Sequence, residues 1–250
     1  MDVEFIGLFL AILIGISLGA LGSGGSIITL PILVYVIGVA PKSAVGMSIC
    51  IVGGTSLLGA LLHWRRGNLH PRAVLLFCAT GIPAAYLGSL ATHAVPSNIL
   101  LLLFAALMAV VGSLLLLGKR PVHDPKLEPS AQNCLTSGLG VGLITGLLGV
   151  GGGFLIVPAL IWFAGLDTRR AIGTSLGIIA INSIGGIAGQ LRYAHWDWRV
   201  TSEFFLCAVL GMAIGFAICS KLPTRALTKA FACAVLAVAA GIGWQVFTRG

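Results

Sequence analysis

Two glycine clusters carry the first chemical signal in this chain. "GALGSGGSIITLP" at 19–31 supplies Gly22, Ser23, Gly24 and Gly25; "GLLGVGGGFLIVP" at 146–158 supplies Gly149, Gly151 and Gly152. Each cluster interrupts apolar sequence and is followed by a proline, Pro31 or Pro158. Glycine allows backbone angles that other residues resist, so each break leaves N–H groups without helical partners beside the start of a new helix. Free amides at a positive helix end attract anions. The plainer alternative is that these glycines only let helices approach closely.

A second set of polar residues lies in the apolar runs at 43–63 and 170–191. Ser48, Thr55 and Ser56 are spaced seven and eight apart, and Ser175, Asn182 and Ser183 repeat that spacing. Such spacing places them along one helical stripe. A polar stripe facing lipid is costly, so it should face inward, bonding a neighbouring helix or lining a path. Asn182 stands out, because a carboxamide brings both donors and acceptors to satisfy. His63 and Gln190 close the two runs. Arg65, Arg66 and Arg72 follow the first run, and Arg192 and Arg199 stand at matching places after the second. Arg65, Arg192 and Arg199 could steer an anion at the mouths of a path; topology alone also accounts for Arg65, and inherited sequence or a local pair with Asp197 is the competing account for Arg192 and Arg199.

Other chemistries lack their residues. The seven acids are Asp2, Glu4, Asp124, Glu128, Asp167, Asp197 and Glu203, and only Glu203 falls inside a run, near its beginning. Cation transport and carboxylate proton relays usually need buried acids. His63 and His195 could take protons, although a lone histidine is commonly an interface residue. The six cysteines form no CxxC motif, which argues against a thiol–disulfide carrier, and no spacing suits a metal. No catalytic constellation, cofactor or metal is expected, and no basic run long enough for nucleic acid is present. The expectation is a protein that is not an enzyme.

The elements that position these residues follow from composition. Hydrophobic residues make up 58% of the 250, and charged ones only 9%, against about a quarter in soluble domains. Such a chain is a polytopic membrane protein. Its N-terminus, with Asp2 and Glu4 and no small-residue cleavage site, reads as a retained span. Apolar runs fall at 4–21, 26–40, 43–63, 73–91, 97–118, 133–149, 153–166, 170–191, 200–219 and 226–247. Most reach the roughly 20 residues a span needs, but 26–40 and 153–166 are short. The hydrophilic stretch 118–133 reads as a linker.

That linker separates two similar halves, 1–117 and 134–250. Sliding the chain by 127 residues aligns 15–105 on 142–232 without a gap, with about a quarter of positions identical, many of them glycine, proline or arginine. With the N-terminus outside, eleven Lys/Arg fall on the cytoplasmic side and four outside, as the positive-inside rule prefers. Five runs per half then make the repeats inverted, as in many secondary transporters. If the short runs are re-entrant, inversion still holds. The expected fold is all-α, with two inverted repeats, a Gly-rich helix break in each, and eight full spans or ten helical segments.

The paired "GSGGSIITLP" and "GVGGGFLIVP", with "AVGMS" and "AIGTS" after them and the arginine-bearing loops beyond, resemble the TauE/SafE family of membrane permeases. The resemblance implies a bacterial inner-membrane protein moving sulfite or organosulfonates. It also implies that Gly22–Gly25 and Gly149–Gly152 form a central re-entrant region near Thr55/Ser56 and Asn182/Ser183. The combined expectation is a secondary transporter, an exporter of a small sulfur oxyanion, working by alternating access with both termini outside. Its partners would be the anion, the bilayer and a coupling proton. The substrate would sit near the midplane, where the two glycine breaks meet. The alternatives are an anion channel or a permease for another small solute, and less favourably a membrane-embedded redox or assembly factor.

Overall fold

In a computed structural model of the chain, every regular element among the described residues is helical. The structure describes residues 3–22, 24–92, 94–117, 130–148, 153–162, 164–190 and 197–219, with 229, 232–233, 236–237 and 239–241 beyond them. The elements are α1 (Val3–Leu21), α2 (Gly24–Pro31), which continues as a π-helical turn over Ile32–Val36, α3 (Pro41–Arg65), α4 (Pro71–Ala91) and α5 (Ser97–Leu117). After the linker come α6 (Ala131–Leu148), α7 (Gly153–Trp162), α8 (Thr168–Gln190) and α9 (Trp198–Cys219). Helix bounds follow the apolar runs to within a few residues. The tenth run is only partly covered, and most of the linker, 118–129, lies outside the described residues.

Four of these helices, over Pro41–Arg65, Pro71–Ala91, Arg169–Gln190 and Trp198–Ile218, are long and apolar enough to cross a membrane. Apolar side chains cover both the inside and the outside of the bundle. Phe77, Phe104 and Leu100 are buried, while Leu75, Leu117, Ile184 and Leu206 are more than 60% exposed. An exposed apolar surface of this extent suits lipid rather than water. At 1.5 Å per residue α2 and α7 are about 12 and 15 Å long, about half of a bilayer core. Proline lies inside both.

The two halves of the sequence interlock. α1 packs on α9, α4 on α6, and α3 on α8. Glycines let the first two pairs touch backbone to backbone. A methyl group added at Gly15 or Gly19 of α1 would strike the carbonyl of Ala208 or Met212 on α9. One added at Gly142 or Gly146 of α6 would strike the carbonyl of Gly81 or Ala85 on α4. These contacts correspond at the 127-residue offset, with the partner helices exchanged. So do Gly215 against Ile16 and Gly88 against Leu143. Small residues at helix interfaces are the usual means of close approach in membranes.

The α3–α8 pair runs antiparallel between these clasps. A side chain at Gly53 would meet Ser183, one at Gly59 would meet Leu176, and one at Gly186 would meet Ile49. The chain also turns alike in both halves. Gly38 and Gly165 adopt φ of 82° and 66°. Beside them Val39 N–H donates to the Leu33 carbonyl (2.9 Å) and Leu166 N–H to the Leu160 carbonyl (3.1 Å). His70 Nδ1 accepts from Ala73 N–H as α4 begins (3.3 Å), and Asp197 Oδ1 accepts from Val200 N–H as α9 begins (3.1 Å).

Backbone contact of this kind has no room for a side chain. Gly142→Leu is expected to destabilise by about 1–3 kcal/mol through overpacking, lowering the unfolding temperature of the purified protein. Gly140→Leu, two residues away with nothing within 4 Å of its added carbon, should unfold close to wild type. Equal unfolding temperatures for the two variants would contradict the clasp.

Candidate functional site

The first glycine break is a turn closed by α8. Gly22 adopts φ of 70°, and its N–H donates to the Leu18 carbonyl (2.8 Å), capping α1. Ser175 Oγ donates to the Ile172 carbonyl (2.8 Å) and to the Gly22 carbonyl (3.3 Å). Ile172 fills the space beside Gly22. From there α2 folds back along α1, with Gly25 pressed on the Ile14 carbonyl and on Leu18. Ser23, Gly149, Gly151 and Gly152 lie outside the described residues.

The polar stripe faces inward, as its cost in lipid requires. Ser48, Thr55, Ser56, Ser175 and Gln190 are 0% exposed, and Asn182 and Ser183 are 4% exposed. Thr55 and Ser183 donate to carbonyls one turn back on their own helices, Ile51 and Ile179, each at 2.7 Å. Gln190 Nε2 donates to the Ser89 carbonyl at 3.4 Å. Three members are unmatched among the described residues. Ser48 Oγ, Ser56 Oγ and both polar atoms of the Asn182 carboxamide have no hydrogen-bond partner there.

Asn182 borders a cavity of about 10 Å³, shared with Ile49 of α3, Ala85 of α4, Thr145 and Gly146 of α6, and Ser183 and Gly186 of α8. That is close to the smallest volume that holds one water. Three polar side chains converge there. Thr145 Oγ1 donates to the Gly142 carbonyl at 3.0 Å, and Ser183 is bonded along its helix, so the amide N–H groups of Asn182 are the donors left uncommitted. Gly81 makes room for that amide, because a methyl group there would lie 2.6 Å from Nδ2 and 2.7 Å from Oδ1.

Sequence reasoning marked Asn182 and Ser183 but missed Thr145, Gly146 and Gly81. Thr145 falls opposite Leu18 at the 127-residue offset, so a search for positions where the halves differ in polarity could have found it. The expectation was that the two glycine breaks meet near the midplane with Asn182 and Thr55 nearby; the second break lies outside the described residues. Gly22 is held by Ser175, seven residues or about 10.5 Å along α8 from Asn182, too far for one small anion to touch both. Gln190 lies eight residues beyond Asn182, outside the cavity lining.

The arginines divide. Arg65 is exposed at the end of α3. Arg199 Nε donates to Glu203 Oε1 at 3.1 Å, while the Asp197 carboxylate accepts from the Arg199 and Val200 N–H groups. Arg192 and His195 lie outside the described residues. Among the described residues no three His, Cys, Asp or Glu side chains gather as a metal site, and Cys50, Cys78, Cys134, Cys207 and Cys233 are free thiols.

Comparison with known proteins gives this arrangement its setting. The model of the family described as "Sulfite exporter TauE/SafE" matches residues 7–242. A probable membrane transporter protein of Xylella fastidiosa is 35% identical over 243 residues, covering 93% of this chain and 92% of its own. The probable membrane transporter protein YdhB of Bacillus subtilis is 24% identical over 87% of this chain and 91% of its own. One from Methanocaldococcus jannaschii is 30% identical over 76% of this chain and 75% of its own. The chain belongs to the TauE/SafE family and is a membrane transporter, not an enzyme.

The bond that closes the first break can be tested by its loss. Ser175→Ala is expected to cost about 1 kcal/mol, seen as a lower unfolding temperature. Thr136→Ala, whose hydroxyl bonds only exposed carbonyls of its own helix, should stay within about 0.5 kcal/mol of wild type.

Proposed function

We propose that this transporter moves a small sulfur oxyanion, sulfite or an organosulfonate, out of the cell across a bacterial inner membrane, as a secondary transporter. One observation carries the reading: the buried Asn182 carboxamide, without a protein partner among the described residues, borders a cavity where α3, α4, α6 and α8 meet. A buried amide left unpaired costs about 1–3 kcal/mol, a cost that a bound solute relieves. Its N–H groups suit sulfonate oxygens. The Thr145 and Ser183 hydroxyls can turn from backbone carbonyls, which keep their helical partners, toward the same ligand. The cavity lining carries no charge. Dipoles alone hold an anion loosely enough for release, which transport requires.

The description of the matching family as a sulfite exporter supports the sulfur chemistry. The halves 1–117 and 134–250 act as inverted repeats on this reading. Support comes from the clasps, turns and capping bonds that recur at the 127-residue offset with helices exchanged. The short α2 and α7 are then re-entrant arms, and alternating access follows from one half rocking on the other, which also widens the cavity. Arg65 and Arg66, at the end of α3, lie close to the start of α8 with Arg169 and Arg170, since a side chain at Gly173 would strike Asn68. That positive end, with the linker 118–133, is cytoplasmic by the charge rule, and both termini are outside.

Reconstituted into liposomes, the protein is expected to accelerate uptake of labelled sulfite above protein-free vesicles and to leave cation uptake unchanged. Asn182→Leu should lower that rate about tenfold or more, the worth of a hydrogen bond to a charged group, while unfolding near the wild-type temperature. Movement of a cation with none of sulfite, sulfoacetate, taurine or sulfate would overturn the reading. Wild-type rates in Asn182→Leu would remove Asn182 from the site.

A further inference from the structure

A further unmatched polar side chain lies where α3 ends. His63 is 8% exposed, and neither of its ring nitrogens has a hydrogen-bond partner among the described residues. Its ring meets Phe216 of α9 edge-on, with centroids 5.0 Å apart and planes at 75°. Arg66, three residues on, lays its guanidinium over the same phenyl ring, 3.9 Å from its centroid. The ring contact accounts for the burial of the imidazole. It does not account for two buried nitrogens left unpaired, because each is a group that ordinarily finds a partner.

The matching place in the other half sharpens the point. At the 127-residue offset His63 corresponds to Gln190 and Phe216 to Ser89, and there Gln190 Nε2 donates to the Ser89 carbonyl. One pair is a bonded amide that never titrates. Its counterpart is a titratable ring with two open positions beside a cation.

The surroundings of His63 are positive. Just past its own helix, Arg66 contacts the same Phe216 ring, and Arg65 is exposed at the helix end. The α3–α4 connection brings Asn68, whose N–H donates to the His63 carbonyl at 3.0 Å. From α8 the backbone at Gly173 approaches the His63 Cβ. The first turn of that helix carries exposed Arg169 and Arg170, and Asp167, whose carboxylate accepts from their N–H groups. From α9 the Phe216 ring packs against it. An imidazolium here gains no carboxylate partner from these groups.

We propose that His63 and Arg66 form an anion-capture site beneath Phe216, which takes a small oxyanion, sulfite or an alkylsulfonate, together with a proton on His63. The inference rests on the oxyanion reading above and adds a second site and a proton to it. With the proton bound, both imidazole nitrogens become donors. An oxyanion between ring and guanidinium then offsets their like charge. Reciprocity follows: the anion favours protonated His63, and acid favours anion binding. Phe216 must move aside to admit it, which links occupancy to the contact between α3 and α9.

Binding of methanesulfonate, whose charge does not change over the range, tests this by calorimetry on the purified full chain. Measurements are made in steps between about pH 4 and about pH 8, across and below the ordinary histidine range. Wild type is expected to bind about tenfold tighter or more at the acid end. H63Q, which installs the residue found at position 190, should bind with no such difference. R66Q, at an exposed position that leaves the core untouched, should bind more weakly at both ends. The proposal is overturned by wild-type binding without pH dependence, by H63Q retaining it, or by R66Q binding as wild type. No methanesulfonate, sulfite or sulfate binding at any pH, with no transport of them, would instead overturn the oxyanion reading itself.

Discussion

Close contact of glycines with the backbone of a facing helix is the constraint on which the molecule depends. Gly15 and Gly19 rest on the Ala208 and Met212 carbonyls, and Gly142 and Gly146 rest on those of Gly81 and Ala85. Lipid offers no hydrophobic force to press helices together, so association relies on van der Waals packing at short range. Each clasp joins the first part of the chain to the second. Between the clasps, α3 and α8 are held antiparallel, with the polar stripe turned inward and buried. Gly146 serves two ends at once, since it closes a clasp and also lines the cavity.

Positions that match across the halves build the frame and part of the cavity, since Gly146 and Ser183, the matches of Gly19 and Ser56, line it; positions that diverge add further chemistry. Ser48 matches Ser175, Gly38 matches Gly165, and Gly59 matches Gly186, all turn or packing positions. Thr55 against Asn182, Leu18 against Thr145, and His63 against Gln190 are the divergent pairs. Thr145 adds a hydroxyl where its match is apolar, Asn182 replaces a hydroxyl by a carboxamide, and His63 replaces an amide by a titratable ring. Asn182 and His63, from these pairs, leave buried polar atoms without partners among the described residues.

Much of this was legible in the sequence, for identifiable reasons. Runs of apolar residues specify helices of nearly the observed bounds, because a span must bond its backbone internally. Gly22 forms the turn between α1 and α2, and burial of Ser48, Thr55, Ser56, Ser175, Asn182 and Ser183 followed from the cost of polar groups in lipid. What spacing along one helix cannot convey is level across helices. The turn at Gly22 lies beside Ser175, two turns along α8 from Asn182. Thr145 was hidden for a similar reason: a single hydroxyl in the apolar stretch "GLITGLL" acquires meaning only when α6 packs against α8. Arg199, read as a steering charge, has Glu203 of its own helix turn as a partner, a contact four residues away that helical spacing permits.

The central claim is that solute reaches Asn182 through water. The direct measurement introduces Asn182→Cys into a chain whose six cysteines are replaced, and follows its modification by a charged, water-soluble maleimide in membranes. The account predicts modification at a measurable rate, slowed by methanesulfonate. A cysteine at 182 that stays unmodified while the same membranes still transport the anion would contradict it.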